Sequence, residues 1–275
     1  MTDIKIENQP VFIAKNSPKK AQLLASKLNL SLDTPHKKNP ALWLDWLEDK
    51  KQPGLIKLSL CSNQQGPVNI DFLAGKKAHR MKFGGGKGQP LVRAMGQLEN
   101  ALPTILDATA GMGGDSFVLA SLGFQVQMVE RSPIVASLLA DALERGQNSE
   151  TELEAELQQS INNLSLVNAN SATYLLEQQP NIDVIYMDPM YPEKKKKAAA
   201  KKEMQALQQL VGPDLDSTAL LDAALQTAKY RVVVKRPKGA EPVKSAFNIQ
   251  PTTEISSPNT RYDIYVIKTI KDLVS

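Results

Sequence analysis

A single cysteine, Cys61, and two histidines, His36 and His79, in a chain of 275 residues leave several kinds of chemistry without their usual parts. One thiol makes no internal disulfide and no cysteine-rich zinc centre, and nothing indicates an oxidising compartment. Two isolated histidines are too few for a metal site, so no metal is expected. No uninterrupted apolar run approaches the ~18 residues of a membrane span. The opening residues, MTDIKIENQP, lack a charged stretch followed by an apolar core. The expectation is a cytoplasmic chain, neither secreted nor embedded.

What is present is a globular composition, 42% hydrophobic, long enough for one large α/β domain and a smaller appended one. The net charge of +4 hides an uneven distribution. Residues 1–104 carry 16 Lys and Arg against 8 Asp and Glu, residues 105–192 carry 2 against 12, and residues 193–275 carry 15 against 9. A centre of net −10 thus lies between flanks of +8 and +6. Basic flanks suit either solubility or a polyanionic partner.

From residue 105 onward, short apolar runs at 105–110, 125–130, 164–169, 184–188 and 230–235 alternate with helical patterns at 115–122, 133–145, 171–178 and 217–228. That rhythm predicts a parallel sheet covered by helices on both faces. Ser132-Pro133 reads as a helix start and Gly146 as its stop. Segments 253–256 and 261–268 flank the turn-like Ser257-Pro258-Asn259 and predict a closing antiparallel hairpin. Upstream, strands at 11–14, 54–61 and 68–73 and a helix at 17–29 predict a small α/β or α+β domain, with 41–48 ambiguous. The acidic segment 150–159 reads as a solvated surface helix. The division expected is a small N-terminal domain over 1–75, a basic Gly-rich connecting segment over 76–104 and a ligand-binding α/β domain over 105–275.

The strand at 105–110 runs into Asp107-Ala108-Thr109-Ala110-Gly111-Met112-Gly113-Gly114-Asp115, where small residues let the backbone turn sharply and approach a ligand. A dinucleotide fingerprint requires glycine three places beyond its second glycine, but Ser116 stands there. The next strand ends in Glu130, able to accept both hydroxyl hydrogens of a ribose, followed by Arg131. Asp107 is expected to shape the loop and to lie near the methionine end of the ligand. Asn170 and Ser171, at a later strand end, suit contacts with an adenine edge. These junctions converge because ligands sit outside the carboxyl ends of such strands.

Val184-Ile185-Tyr186-Met187-Asp188-Pro189-Met190-Tyr191-Pro192 is a buried apolar strand running into an acid, a proline and an aromatic. The Asp188 carboxylate and the Pro189 carbonyl can both accept hydrogen bonds from an NH2 group and aim its lone pair at a sulfonium methyl. Tyr191 can stack on a base, worth about 1–3 kcal/mol. An exocyclic amine is a poor nucleophile, so positioning and electrostatics must supply most of the catalysis. This chemistry serves any exocyclic amine, including adenine N6 or cytosine N4 in DNA, and a non-catalytic RNA-binding or ribosome-assembly protein on the same fold is the non-enzymatic alternative. Basic constellations flank the segment: Lys194, Lys195, Lys196 and Lys197 directly after it, Lys82 and Lys87 in the Gly-rich stretch around Phe83, and Lys235 and Arg236 at the end of the 230–235 strand. All are candidates for RNA phosphate contacts.

The words AHRMKFGGGKG, DATAGMGGDSFVLAS, VERSPIVASLLADALERG, YMDPMYP, KKEMQALQQLVGPDLD and VVVKRP, in this order between residues 71 and 265, resemble the bacterial RsmJ (YhiQ) methyltransferases. The resemblance implies a class I methyltransferase: a Rossmann-like seven-stranded sheet, mostly parallel, closed by an antiparallel hairpin. It further implies S-adenosyl-L-methionine (SAM) as cofactor and a guanine N2 of small-subunit (16S) ribosomal RNA as acceptor. Cofactor contacts are implied at Gly114, Asp115, Glu130, Arg131, Asn170, Ser171 and Asp188, beside Asp107, Gly111 and Gly113 from the loop itself. Two departures stand out. Gly114 occupies a place where the family is expected to carry arginine, which leaves a backbone contact there. Met190 replaces the proline of the wider amino-methyltransferase tetrad. The first 60 residues carry none of these words.

Overall fold

The computed structural model of the chain describes residues 11–14, 19–35, 42–63, 66–72, 86–98, 101–148, 155–190 and 216–267. These fall into two units, one from the described residues of Met1–Ile70 with Pro133–Ala142, the other from those of Asp71–Ser132, Leu143–Pro192 and Asp214–Ser275.

The first unit is built on β1 (Val11–Ala14), helix α1 (Lys20–Leu28), β2 (Leu32–Asp33), β3 (Leu42–Asp49) and β4 (Gln52–Ser62), in the sheet order β2-β1-β3-β4. The ambiguous segment at 41–48 is strand β3. Leu42 and Leu44 alternate into the core, and the following turn is closed by the Asp49 carboxylate, which accepts the amides of Lys51 and Gln52. Helix α1 ends where Asn29 takes a left-handed conformation, φ 53°, and its amide caps the last turn. Of the strand expected at 68–73, no ladder forms among the described residues 68–72. Among the described residues of that segment Val68 makes a single bridge to Leu60, each donating its amide to the other's carbonyl.

The second unit is a seven-stranded sheet. Its strands are β5 (Ile105–Asp107), β6 (Val126–Glu130), β7 (Leu164–Asn168), β8 (Val184–Met187), β9 (Arg231–Pro237), β10 (Thr253–Ser256) and β11 (Thr260–Val266). The order is β10-β11-β9-β8-β5-β6-β7, parallel from β7 to β9 and antiparallel through β11 and β10. This is the expected fold. Its helices are α2 (Pro90–Met95), α3 (Gly114–Ser121), α4 (Pro133–Gln147), which spans the two units, α5 (Ala155–Asn162), α6 (Ser171–Gln178) and α7 (Ser217–Thr227). On one face α6 and α7 pack Leu175, Leu220, Leu221 and Ala224 against Leu106, Ile185, Met187, Val232 and Val234. With Ile185 and Met187 committed to that face, strand alternation sends Val184 and Tyr186 to the other, where Phe117 of α3 stacks on Phe72 with ring centroids 4.9 Å apart.

Two local readings are corrected. Gly146 does not stop α4; it lies within the helix, and a side chain there would place its Cβ 1.9 Å from Ile161 Cδ1 of α5. The glycine permits a close helix-helix approach rather than a C-cap. For the same reason α5 is not merely a solvated helix, because Leu157, Ser160 and Ile161 are buried. The residues before it, 149–154, lie outside the described set.

The chain runs outward from β5 through β6 to β7, then returns to the opposite side of β5 as β8. That reversal is a topological switch point, and the crevice between the carboxyl ends of β5 and β8 is where such sheets hold ligands.

Candidate active site

Strand β5 ends at Asp107, three residues earlier than the apolar run implies, because the backbone at once begins the glycine turn. Gly111 and Gly113 both take left-handed conformations, φ 52° and 67°, and Gly113 is the N-cap of α3. An L-residue there costs roughly 1–2 kcal/mol, so these two glycines are conformational requirements. Gly114 begins the helix, and a Cβ added to it meets nothing within 4 Å, so the space before the helix end is open. An open turn at a helix N-terminus, with few side chains in the way, fits an extended nucleoside ligand.

Asp107 shapes this turn from below. Its Oδ1 accepts the Thr109 amide at 3.1 Å and its Oδ2 accepts the Ser116 hydroxyl at 2.5 Å. Burial pushes its carboxyl up to about 7, against the two hydrogen bonds that favour the ion, and the neighbouring charges of Asp115 and Asp188 push the same way as burial. Glu130 at the end of β6 ties the turn from the side: Oε2 accepts the Gly111 amide at 2.9 Å and Oε1 accepts the Ser132 amide at 2.7 Å. Each carboxylate oxygen has two lone pairs, so neither of these bonds by itself saturates its oxygen. Arg131 points to Asp216 at 3.3 Å. Asn170 is the N-cap of α6, its side chain accepting from the Thr173 amide at 3.1 Å, and the Ser171 hydroxyl donates to the Ala108 carbonyl at 2.6 Å. The sheet therefore brings Asp107, Gly111, Gly113, Gly114, Asp115, Glu130, Asn170 and Ser171 to one edge.

The acceptor segment arrives through register. On β8, Tyr186 pairs with Asp107 of β5 and Met187 with Val234 of β9, so the next residues along, Thr109, Asp188 and Lys235, sit near one another at the strand ends. The Asp188 amide donates to Thr109 Oγ1 at 2.6 Å. Lys235 Nζ donates to Asp188 Oδ2 and to Asp115 Oδ2, at 2.8 Å each. Tyr186 donates its hydroxyl to the same Asp115 Oδ2 at 2.7 Å. The low-dielectric walls push the Asp188 carboxyl up, and Lys235 pulls it back down; with 42% of its side chain exposed, the first effect is limited by solvent. Burial alone would weaken the Lys235 cation, but Asp115 and Asp188 outweigh it and hold the ammonium above its ordinary range. Burial, then the three surrounding acids, push the Tyr186 phenol well above its ordinary value, so it remains a donor. Pro189 is buried directly after Asp188.

Sequence reasoning placed Lys235 and Arg236 among phosphate contacts. In the structure the Lys235 ammonium faces two carboxylates, and the buried Arg236 guanidinium donates to the Glu241 carbonyl at 2.9 and 3.1 Å. Tyr186, Thr109 and Ser116 were missed. Tyr186 lies two residues before Asp188 and so on the same face of the strand, a signal that was available. Tyr191, Lys82, Lys194, Lys195, Lys196 and Lys197, and the side chain of Lys87, lie outside the described residues.

Comparison with known proteins extends the likeness beyond the sequence words. A family model described as "Putative SAM-dependent methyltransferase" matches residues 19–267, including most of the N-terminal unit that carried no motif. The chain is 56% identical over 263 residues to a ribosomal RNA small subunit methyltransferase J of Hydrogenovibrio crunogenus, covering 92% of this chain and 93% of the relative. A protein of the same name from Thioalkalivibrio sulfidiphilus is 40% identical over 269 residues, covering 97% and 99%. Among solved structures, a SAM-dependent methyltransferase from Neisseria gonorrhoeae superposes with a TM-score of 0.68 at 30% identity, covering 93% of this chain and 95% of that one.

Proposed function

The chain belongs to the RsmJ family of SAM-dependent methyltransferases, and we propose that it methylates the exocyclic N2 of a guanine in 16S ribosomal RNA. The single observation that carries the reading is the placement of Asp188 at the switch point beside the glycine turn, the crevice in which an acceptor amine and the cofactor would meet. The relatives' names supply ribosomal RNA of the small subunit; the choice of guanine N2 follows the resemblance of the motifs.

The residues fit the cofactor. Gly111, Gly113, Gly114 and Asp115 would border its methionine end, with Asp107 holding their turn in shape. Glu130 would take the ribose hydroxyls, and Asn170 and Ser171 would flank the adenine, with Arg131 close by. When bound, SAM supplies an electrophilic methyl group. The protein's own contribution is orientation: Asp188 and the Pro189 carbonyl accept the two amine hydrogens, turning the nitrogen lone pair toward that methyl, and Tyr191 stacks on the base. Transfer would form the N–C bond as the methyl–sulfur bond breaks, with S-adenosylhomocysteine leaving, and the amine sheds one proton, which the partly exposed Asp188 can pass to water. Lys82, Lys87, Lys194, Lys195, Lys196 and Lys197 hold RNA phosphates in this reading.

Incubation with radiolabelled SAM and small ribosomal subunits or their RNA, followed by digestion and mass spectrometry, tests the proposal. N2-methylguanosine is the expected product. Transfer to duplex DNA but not to ribosomal RNA would overturn the substrate assignment. Asp188→Ala is expected to lower turnover by about 10²-fold or more, while affinity for S-adenosylhomocysteine, read by calorimetry, stays measurable.

A further inference from the structure

Lys235 is the one residue whose position departs most from its sequence reading. It stands at the carboxyl end of β9 with its side chain 26% exposed, and its ammonium is drawn inward rather than toward solvent. Its ion-pair partners are two carboxylates at 2.8 Å, one from the glycine-turn side of the crevice, Asp115, and one from the acceptor side, Asp188. A lysine committed to two anions is a poor phosphate ligand, because a third anion would have to displace one of them. It is well suited to another task. The charged and titratable groups that face Asp188 from the surrounding elements are Asp107 on β5, Asp115 on α3, Tyr186 on β8, and Lys235 and Arg236 on β9. With Asp188 itself, Asp107 and Asp115 make three acids close together, and Lys235 is the cation that bonds to two of them, Asp115 and Asp188.

We propose that Lys235 is a positioning residue for methyl transfer: its ammonium, shared between Asp115 and Asp188, keeps the Asp188 carboxylate ionised and aimed so that it accepts hydrogen bonds from the acceptor amine. A protonated Asp188 would turn one of its oxygens from acceptor to donor, facing the N–H hydrogens that the NH2 group presents to it while the nitrogen lone pair is aimed at the methyl. The bridge also links the cofactor side of the site to the acceptor side through one atom, Nζ. This inference rests on the reading of Asp188 as the acceptor-site carboxylate.

The test is the pH profile of kcat for the full chain at saturating SAM, using small ribosomal subunits, with KM for the subunits and affinity for S-adenosylhomocysteine measured alongside. In Lys235→Gln, kcat at neutral pH is expected to fall about 10²-fold. The acidic limb of the profile is expected to move up by about 1–3 pH units, the size of the effect of a neighbouring opposite charge. KM should stay within about threefold. In Asp115→Asn, a like charge disappears and Lys235 serves Asp188 alone, so the limb is expected to move down. Opposite shifts from two changes in the same cluster are not what a general loss of structure produces. If Lys235→Gln fails to fold, Asp115→Asn still decides the matter by the direction of its shift. A wild-type limb in Lys235→Gln, with KM for the subunits raised tenfold or more, would overturn the inference in favour of a phosphate contact. So would loss of S-adenosylhomocysteine binding with an unshifted limb, which would assign Lys235 to the cofactor alone. Asp188→Ala separates the two layers: if it turns over normally the parent reading fails, whereas an inactive Asp188→Ala with an unshifted Lys235→Gln defeats only the present one.

Discussion

Asp107 carries the heaviest electrostatic burden of any carboxylate in the glycine turn. It is buried, yet its two oxygens must both accept hydrogen bonds to hold Thr109 and Ser116. Its carboxyl titrates near 7 in the folded chain, against an ordinary value of 3.8. Between those two pH values the folded state retains a proton that the unfolded chain has released, so this residue's contribution to stability falls as pH rises through the window and is level above it. Asp107→Asn has no charge to bury. Chemical denaturation at pH 5 and pH 8 should therefore show the variant gaining on the wild type by at least about 1 kcal/mol at the higher pH. An equal difference at both values would mean that Asp107 ionises like an exposed acid. In function, such a residue serves the turn best by being fixed in place.

Elements impose constraints that no single residue reveals. The approach of α4 to α5 depends on the bare Cα of Gly146, against which Ile161 lies fully buried. Alanine is the better helix former by about 1 kcal/mol, but its methyl would have to displace a side chain with nowhere to go. Gly146→Ala is therefore expected to destabilise the protein by about 1–3 kcal/mol. Ile161→Val, which removes the nearest clashing carbon, should recover part of that loss in a double-mutant cycle. Additive effects of the two substitutions would refute the contact. This pair also marks what sequence could convey. A glycine near the end of an apolar-periodic run reads equally well as a stop or as a close approach, and only the partner helix decides. The seven strands, the glycine turn, and the places of Glu130 and Asp188 at strand ends were legible because each belongs to a local pattern: an apolar run, a run of small residues, an acid at a strand end. The Lys235 bridge was not. It depends on the register that sets β9 beside β8 and on α3 presenting Asp115, residues separated in the chain by 120 positions.

At the scale of the whole molecule the uneven charge acquires a meaning. The acidic centre of the chain, net −10 over residues 105–192, contains Asp107, Asp115, Glu130 and Asp188, the carboxylates that shape the crevice. Left alone, such a centre would repel a polyanion. The basic flanks supply the compensating attraction in the proposed function, and the attraction should be dominated by counterion release. Replacing Lys194, Lys195, Lys196 and Lys197 with alanine is expected to weaken RNA binding and to reduce the slope of log affinity against log salt by up to about 3, at roughly 0.7 per phosphate contact on single strands. Filter binding at several salt concentrations reads the slope directly, and an unchanged slope would remove these lysines from the interface.

The hydrogen bond from the Asp188 amide to the Thr109 hydroxyl, 2.6 Å long, joins the end of β8 to the first turn after β5. Its proton belongs to the residue proposed to hold the acceptor, and its oxygen to the loop proposed to hold the cofactor. Deuterium reaches an amide held in this way only when the bond opens. The labelling rate at Asp188 is thus a clock for the parting of the two strand ends, one that runs before any substrate is present.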